Sequence, residues 1–274
     1  MSNTRHVLGI SGGKDSAALA IYLKQKKLYP DMEYYFSDTG CELPETYEFI
    51  DKLEVYLGKK ILRIGIDKTN NPKSMNNNKG ISLFNHFLIM HNGMLPSPQQ
   101  RWCTVKMKLE PFEKYIGSSD AISYIAIRAD EFREGYISTK PNIKPVFPFI
   151  LDGITRKDVF NILEDTVGIP EYYKWRSRSG CYFCFFQRRE EWVRLNENHP
   201  DLFEKAKQYE KYDSKTGKRY TWVEGMTLDE LIVKKEKYIQ HAKRKKSIDN
   251  RNWQDKLIED YDGSEEQGCL LCTL

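Results

Sequence analysis

Short apolar runs, each followed by a polar turn and a helical pattern, lay out the first part of the chain. Val7-Leu8-Gly9-Ile10 is an apolar run of strand length, and Ala17 to Leu23 after it is rich in helix formers. Met32 to Phe36 repeats the strand signal. Pro44 opens a helix that Gly58 stops after about Leu57, because proline suits the first helical position and glycine the one beyond the last. Lys60 to Ile66 reads as a third strand. The alternation β-α-β-α-β predicts an α/β fold, a parallel twisted sheet with helices on both faces. Farther along, Ala121 to Ile127 reads as another buried strand and Pro145 to Phe149 as a short extended piece. Thr155 to Asp158 starts an amphipathic helix carrying Val159, Phe160, Ile162 and Leu163.

Between these parts, an Asn- and Lys-rich loop from Asn70 to Gly80 precedes a helix over Ile81 to His91, and Gly93, Pro96 and Pro98 mark a second loop. From about Gln187 the strand pattern ends. Glu190 to Asn198, Pro200 to Tyr212 and Leu228 to about Lys246 read as helices, with a turn near Gly217. The chain thus divides into an α/β domain over residues 1–190 and a C-terminal helical extension with a loose tail over 191–274.

Composition narrows the class. At 274 residues, 40% hydrophobic and 30% charged, the chain has the make-up of a globular protein with a sizeable core. It contains no uninterrupted apolar stretch of about 18 residues, so no membrane association is expected. The N-terminal residues run almost directly into the first strand without a signal-peptide pattern, and a cytoplasmic location is expected. A net charge of +4 permits a nucleic-acid partner without demanding one. Six cysteines in a reducing compartment suit metal, cluster or sulfur chemistry better than a disulfide framework.

The candidate chemistry begins at Ser11-Gly12-Gly13-Lys14-Asp15-Ser16, between the first strand and its helix. A Gly-rich turn that feeds a helix N-terminus binds phosphate, because unpaired N–H groups and the helix dipole point at whatever the turn holds. The run is not a Walker A loop; here Asp15, a carboxylate able to hold Mg²⁺, follows the lysine. Asp38 and Arg128 sit at strand ends, where ligands of open α/β sheets collect and where ordinary ion pairs also form. Cys181 and Cys184 have the spacing of two ligands on one metal. The basic run from Leu228 to Lys246, with Tyr220, Trp222 and Tyr238 near it, has the character of a phosphate-backbone contact or of a solvated helix face.

The order of these features resembles the PP-loop ATP pyrophosphatase superfamily and, within it, the phosphoadenosine phosphosulfate (PAPS) reductase-like family. The matching pieces are Ser11 to Ser16, Asp38 to Thr46, Arg101-Trp102-Cys103-Thr104 with Lys106 and Lys108, Ile127 to Glu131, and Gly180 to Cys184. The resemblance implies a loop that cradles the β and γ phosphates of ATP while a nucleophile attacks the α phosphorus. Ser11, Gly12, Gly13 and Ser16 would donate hydrogen bonds, Lys14 would neutralise charge and Asp15 would hold Mg²⁺. Arg128 would grip the α phosphate or a sulfonucleotide, and Asp38 would contact metal or ribose.

It also implies a 4Fe–4S cluster on Cys103, Cys181 and Cys184, with Zn²⁺ as the alternative metal. Cluster-containing sulfonucleotide reductases carry a second cysteine where Trp102 stands, so a fourth ligand would come from Cys41, Cys269 or Cys272, or be absent. The expected activity is adenylylation of a substrate for sulfur transfer, with DNA or RNA among the acceptors and a donor such as a cysteine desulfurase. The alternatives are an APS or PAPS reductase that uses thioredoxin and a tail cysteine, Cys269, and a non-catalytic nucleotide-binding subunit.

Overall fold

The computed structural model describes residues 4–28, 31–65, 83–131, 138–214 and 217–247. The first apolar run becomes β1 (Arg5–Gly9), and the helix formers after it become α1 (Lys14–Gln25). β2 (Glu33–Ser37), α2 (Pro44–Leu57) and β3 (Ile61–Ile64) complete the predicted alternation. α3 (Leu83–Met90), a single turn α4 (Trp102–Thr104), a π-helix over Val105–Leu109 and α5 (Glu110–Ile116) lead to β4 (Ala121–Tyr124) and β5 (Ile143–Val146). α6 (Pro148–Leu151), α7 (Arg156–Glu164) and a 3₁₀ turn at Glu171–Lys174 follow, then α8 (Arg189–Asn198) and α9 (Pro200–Lys207).

The five strands are all parallel in the order β3-β2-β1-β4-β5. β1 is therefore central, and the chain's direction of travel across the sheet reverses beside it. Such a switch point opens a crevice at the strands' C-terminal ends. Alternation along β1 and β2 faces both layers. Leu8, Tyr34 and Phe36 pack with Ala17, Leu19, Phe49, Ile50 and Val159 of α1, α2 and α7. Val7 and Tyr35 point the other way, onto Phe112 and Ile116 of α5.

A second core is largely aromatic. It joins Leu43 and Phe84 to Phe183, Trp192, Phe203, Trp222 and Leu228, so residues on both sides of position 190 share it. Phe183 and Trp222 stack at 5.1 Å between centroids. Among the described residues no helix is long and apolar enough to cross a membrane.

Four local expectations are corrected. The helix expected over Pro200 to Tyr212 ends at Lys207, and strand structure does return after Gln187, as the antiparallel hairpin β6 (Lys211–Asp213) and β7 (Lys218–Tyr220). Its strands are too short and too exposed to leave an alternating pattern. Pro148 and Phe149 belong to α6 and are not extended, since proline at the first helical position starts a turn as readily as it ends a strand. The basic C-terminal helix divides at Lys234 into α10 (Leu228–Val233) and α11 (Lys235–Ser247). The loop expected at 70–80 and the tail with Cys269 and Cys272 lie outside the described residues.

Candidate functional site

Gly12 makes the turn from β1 into α1 with φ of +74°, a conformation that favours glycine. A Cβ on it would stand 2.4 Å from the Thr46 methyl of α2, and one on Gly13 would stand 2.6 Å from Ser179 Oγ. The loop is thus pressed between two other segments. Ser16 Oγ accepts the Ser11 amide at 3.0 Å and lies 3.0 Å from Ser11 Oγ, which closes the turn on itself.

Behind the loop lies a buried charge network. Asp15 Oδ2 takes Lys14 Nζ at 2.8 Å and Asp15 Oδ1 takes Arg128 Nη1 at 2.9 Å. The same guanidinium reaches Glu131 at 2.5 Å and Asp130 at 3.0 Å. Arg128 arrives because β4 pairs with β1, Tyr124 opposite Leu8, and the chain continues along the loop's flank. Burial pushes the Asp15 carboxyl up, but the adjoining Lys14 and Arg128 charges outweigh it and hold the group well below its ordinary range. Each Asp15 oxygen keeps a further lone pair, so the carboxylate suits a metal that arrives on phosphates and needs only one or two such ligands. Asp38 follows β2, and its Oδ1 accepts the Gly40 amide at 2.9 Å and the Tyr47 hydroxyl at 2.8 Å.

Two tyrosines without a distinguishing sequence signal complete the loop. Tyr172 donates its hydroxyl to the Gly12 carbonyl at 2.6 Å, and the Lys14 amide donates to the Tyr173 hydroxyl at 3.1 Å. Both come from the 3₁₀ turn, some 160 residues downstream, a separation that local patterning does not reach. Arg176, also buried, donates to the carbonyls of Gly180 at 3.1 Å and Cys181 at 2.8 Å, fixing the turn before the Cys-x-x-Cys.

The cysteines gather on the other side of that turn. Cys103, Cys181 and Cys184 border one cavity of about 40 Å³, with Thr39, Met107, Lys108 and several phenylalanines among its other walls. None of the three is in a disulfide. Among the described residues no three His, Cys, Asp or Glu side chains already surround a common point. Three cysteines are the donor type of a thiolate-bound centre, but as placed they do not form one, and the volume admits an ion or a few waters, not a larger inorganic core.

Burial, then the Glu42 charge, pushes the Cys181 thiol well up. Glu42 is itself buried; its Oε1 accepts the Thr39 hydroxyl at 2.8 Å and lies 3.6 Å from Cys181 Sγ, and burial raises its pKa. Cys41 does not border the cavity; burial first, then Glu42 and Asp38, push its thiol up to about 12. Trp102 is a core residue, stacked on His91 at 4.8 Å with its Nε1 donating to Met94 O.

The Phosphoadenosine phosphosulfate reductase domain family model matches residues 5–145, and the chain belongs to that family. The match takes in the loop, Asp38, Cys103 and Arg128, and stops short of Cys181. Among individual proteins, the chain is 27% identical over 212 residues to an uncharacterized protein of Methanocaldococcus jannaschii, covering 73% of this chain and 40% of the other. It is 30% identical over 155 residues to an uncharacterized nin region protein of Escherichia phage lambda, covering 51% and 52% respectively. The chain spans about half or less of the length of these relatives. The phosphoadenylyl-sulfate (PAPS) reductase of Candida auris, solved as a phosphate complex, aligns with a TM-score of 0.45 at 16% identity over 65% of this chain and 82% of that one.

Proposed function

We propose that the chain is a PAPS reductase-like ATP pyrophosphatase that adenylylates an acceptor for sulfur transfer. The observation that supports this most is the buried Lys14–Asp15–Arg128 network at the turn into α1, which sets two cations beside a phosphate-type loop at the sheet's switch point. In the reaction, an acceptor oxygen attacks the α phosphorus of ATP. The bond to the bridging oxygen breaks and pyrophosphate leaves. A sulfur nucleophile then displaces AMP from the acceptor carbon.

Backbone amides of Gly12 and Gly13 and the Ser11 and Ser16 hydroxyls hold the β and γ phosphates, Lys14 offsets the charge that builds on pyrophosphate, and Arg128 orients the α phosphate. Asp15 receives the Mg²⁺ that accompanies ATP. Cys103, Cys181 and Cys184 would hold the 4Fe–4S cluster or, in the alternative, Zn²⁺. Such a cluster would supply a thiophilic iron for the sulfur chemistry.

The test is Mg²⁺-dependent formation of AMP and pyrophosphate from ATP with candidate acceptors, nucleic acid included. Lys14→Ala is expected to lower it by about 10²–10³-fold, the cost of removing one preorganised charge-stabilising group. The family to which the chain belongs favours a second reading, a sulfonucleotide reductase that draws on thioredoxin. Reduction of PAPS or APS by the purified protein, with no cleavage of ATP, would overturn the first reading in favour of the second.

A further inference from the structure

We infer that Arg101, Phe186 and Arg178 form a binding contact for a single-stranded nucleic acid, which makes such a strand the acceptor. As an acceptor assignment the inference rests on the adenylylation reading above. Its ground is one aromatic ring. The guanidinium carbon of Arg101 lies 5.1 Å from the Phe186 ring centroid, and that of Arg178 lies 5.3 Å from it. Two like charges gathered at one ring repel each other, and a polyanion offsets that cost. Arg101 donates Nε to the Pro98 carbonyl at 3.0 Å and makes no ion pair among the described residues. A guanidinium supported by a ring can stack on a base while its edge donates to phosphate.

The place of this trio in the fold ties it to the site. Ser179, the residue after Arg178, is the group that a side chain on Gly13 would strike, so Arg178 adjoins a segment pressed on the phosphate-type loop. On the other side, Arg101 precedes Cys103 by two residues, and Phe186 follows Cys184 by two and lines the cysteine cavity. The ring packs on Ile125 and Ile127, just past the end of β4. The trio thus lies between loop and thiols.

The cations continue beyond what a mononucleotide needs. Arg189, at the exposed start of α8, follows Phe186 by three residues, at most about 11 Å of chain, and its guanidinium carbon stands 5.5 Å from the Tyr238 ring of α11. Lys234, Lys235 and Lys237 are exposed beside Tyr238. Glu190 and Glu236 interrupt this row without cancelling it. Guanidinium–aromatic pairs repeated along a basic strip suit a flexible strand, because every base offers a face for stacking. A duplex would meet the cations but leave the stacking surface unused.

The experiment titrates the full chain into labelled DNA and RNA single strands of about 20 nucleotides, and into the DNA duplex, and reads fluorescence anisotropy over a range of salt. Single strands are expected to bind more tightly than the duplex. Arg101→Gln and Arg178→Gln should each reduce the slope of log affinity against log salt by about 0.7, and the lysine variants should restore it. Phe186→Leu keeps apolar contact with Ile125 and Ile127 but has no ring. It should weaken single-strand binding about 5- to 100-fold with the slope unchanged. ATP binding should match the wild type in every variant, which separates a lost contact from a misfolded site.

A duplex held as tightly as the single strands overturns the inference, and so do variants that bind the strands as the wild type does. Adenosine 3′,5′-bisphosphate bound through Arg101 and Arg178, with no strand bound, also overturns it and favours the reductase reading. If ATP is cleaved with another acceptor and no strand binds, this inference falls alone. Strands that bind as expected but elicit no AMP or pyrophosphate from ATP uphold the contact and remove the adenylylation reading.

Discussion

Around Asp15 charge meets opposite charge at short range: Lys14 and Arg128 on its two oxygens, with Glu131 and Asp130 on the far side of the guanidinium. Around Cys181 the neighbours are aromatic rings, a threonine and a carboxylate with one oxygen unpartnered. The first region is buried and the second half-buried, and the segment from the 3₁₀ turn to Cys181 runs between them, with Tyr173 on the Lys14 amide and Arg176 on the Cys181 carbonyl. The first is neutralised by the protein's own side chains, so it holds its shape before a ligand arrives. The second gathers three cysteines beside a small cavity, with Cys181 Sγ 3.2 Å from Thr39 Oγ1 and 3.6 Å from Glu42 Oε1. The contrast separates a preorganised electrostatic site from one that, on the metal reading proposed above, would gain its order from what it binds.

The most severe way to break the first region is Arg128→Ala. It leaves the Asp15 and Glu131 carboxylates buried without their shared cation and is expected to cost about 3–5 kcal/mol in denaturant unfolding. An equal loss for Cys181→Ala in the metal-free protein would erase the distinction drawn above.

A smaller effect tests the seam between the regions. In Gly13→Ala the new methyl meets Ser179 Oγ, and the expected cost is about 1–3 kcal/mol, restored in part by adding Ser179→Gly. A double-mutant cycle with no coupling would show that the seam gives way freely.

The mildest test is acid. Lys14 and Arg128 outweigh the burial that raises the Asp15 pKa, and hold it below its ordinary 3.8. Asp15 therefore contributes stability that is fully present above about pH 4 and fades as pH falls toward the depressed native value. Unfolding followed by fluorescence from pH 6 downward should lose that acid-sensitive limb in Asp15→Asn.

Much of the first region was legible in the residues themselves. The Val7–Ile10 run, the two glycines and the helix formers after them define β1, the turn and α1 within a few neighbouring positions, and Pro44 with Gly58 bracket α2 as expected. The Thr155 and Asp158 side chains form the capping box at the start of α7, where the amphipathic pattern placed a helix. Arg128 was legible as a strand-end residue, though its three carboxylate partners were not.

Contacts across the fold stayed hidden. Nothing near Tyr172 or Tyr173 announces that their hydroxyls meet Gly12 and Lys14, and the nearness of Glu42 to Cys181 depends on a pairing of distant turns. The hairpin at β6 and β7 and the π-helix over Val105–Leu109 escaped for another reason. They are set by tertiary packing over very few residues, where periodicity has too little length to appear.

The central place of β1 has a consequence for how the molecule is made. Its partner β4 pairs Arg5 with Ala121, and Arg128, Tyr173 and Cys181 come later still. A ribosome adding about 5–20 residues per second needs roughly 8–33 s to pass from Lys14 to Cys181. Throughout that interval the nascent loop has neither its guanidinium nor its tyrosine clasp, and the thiols made first wait for those made last. The clasp on the loop, and any centre shared by Cys103 and Cys181, therefore cannot form until synthesis has passed Cys181.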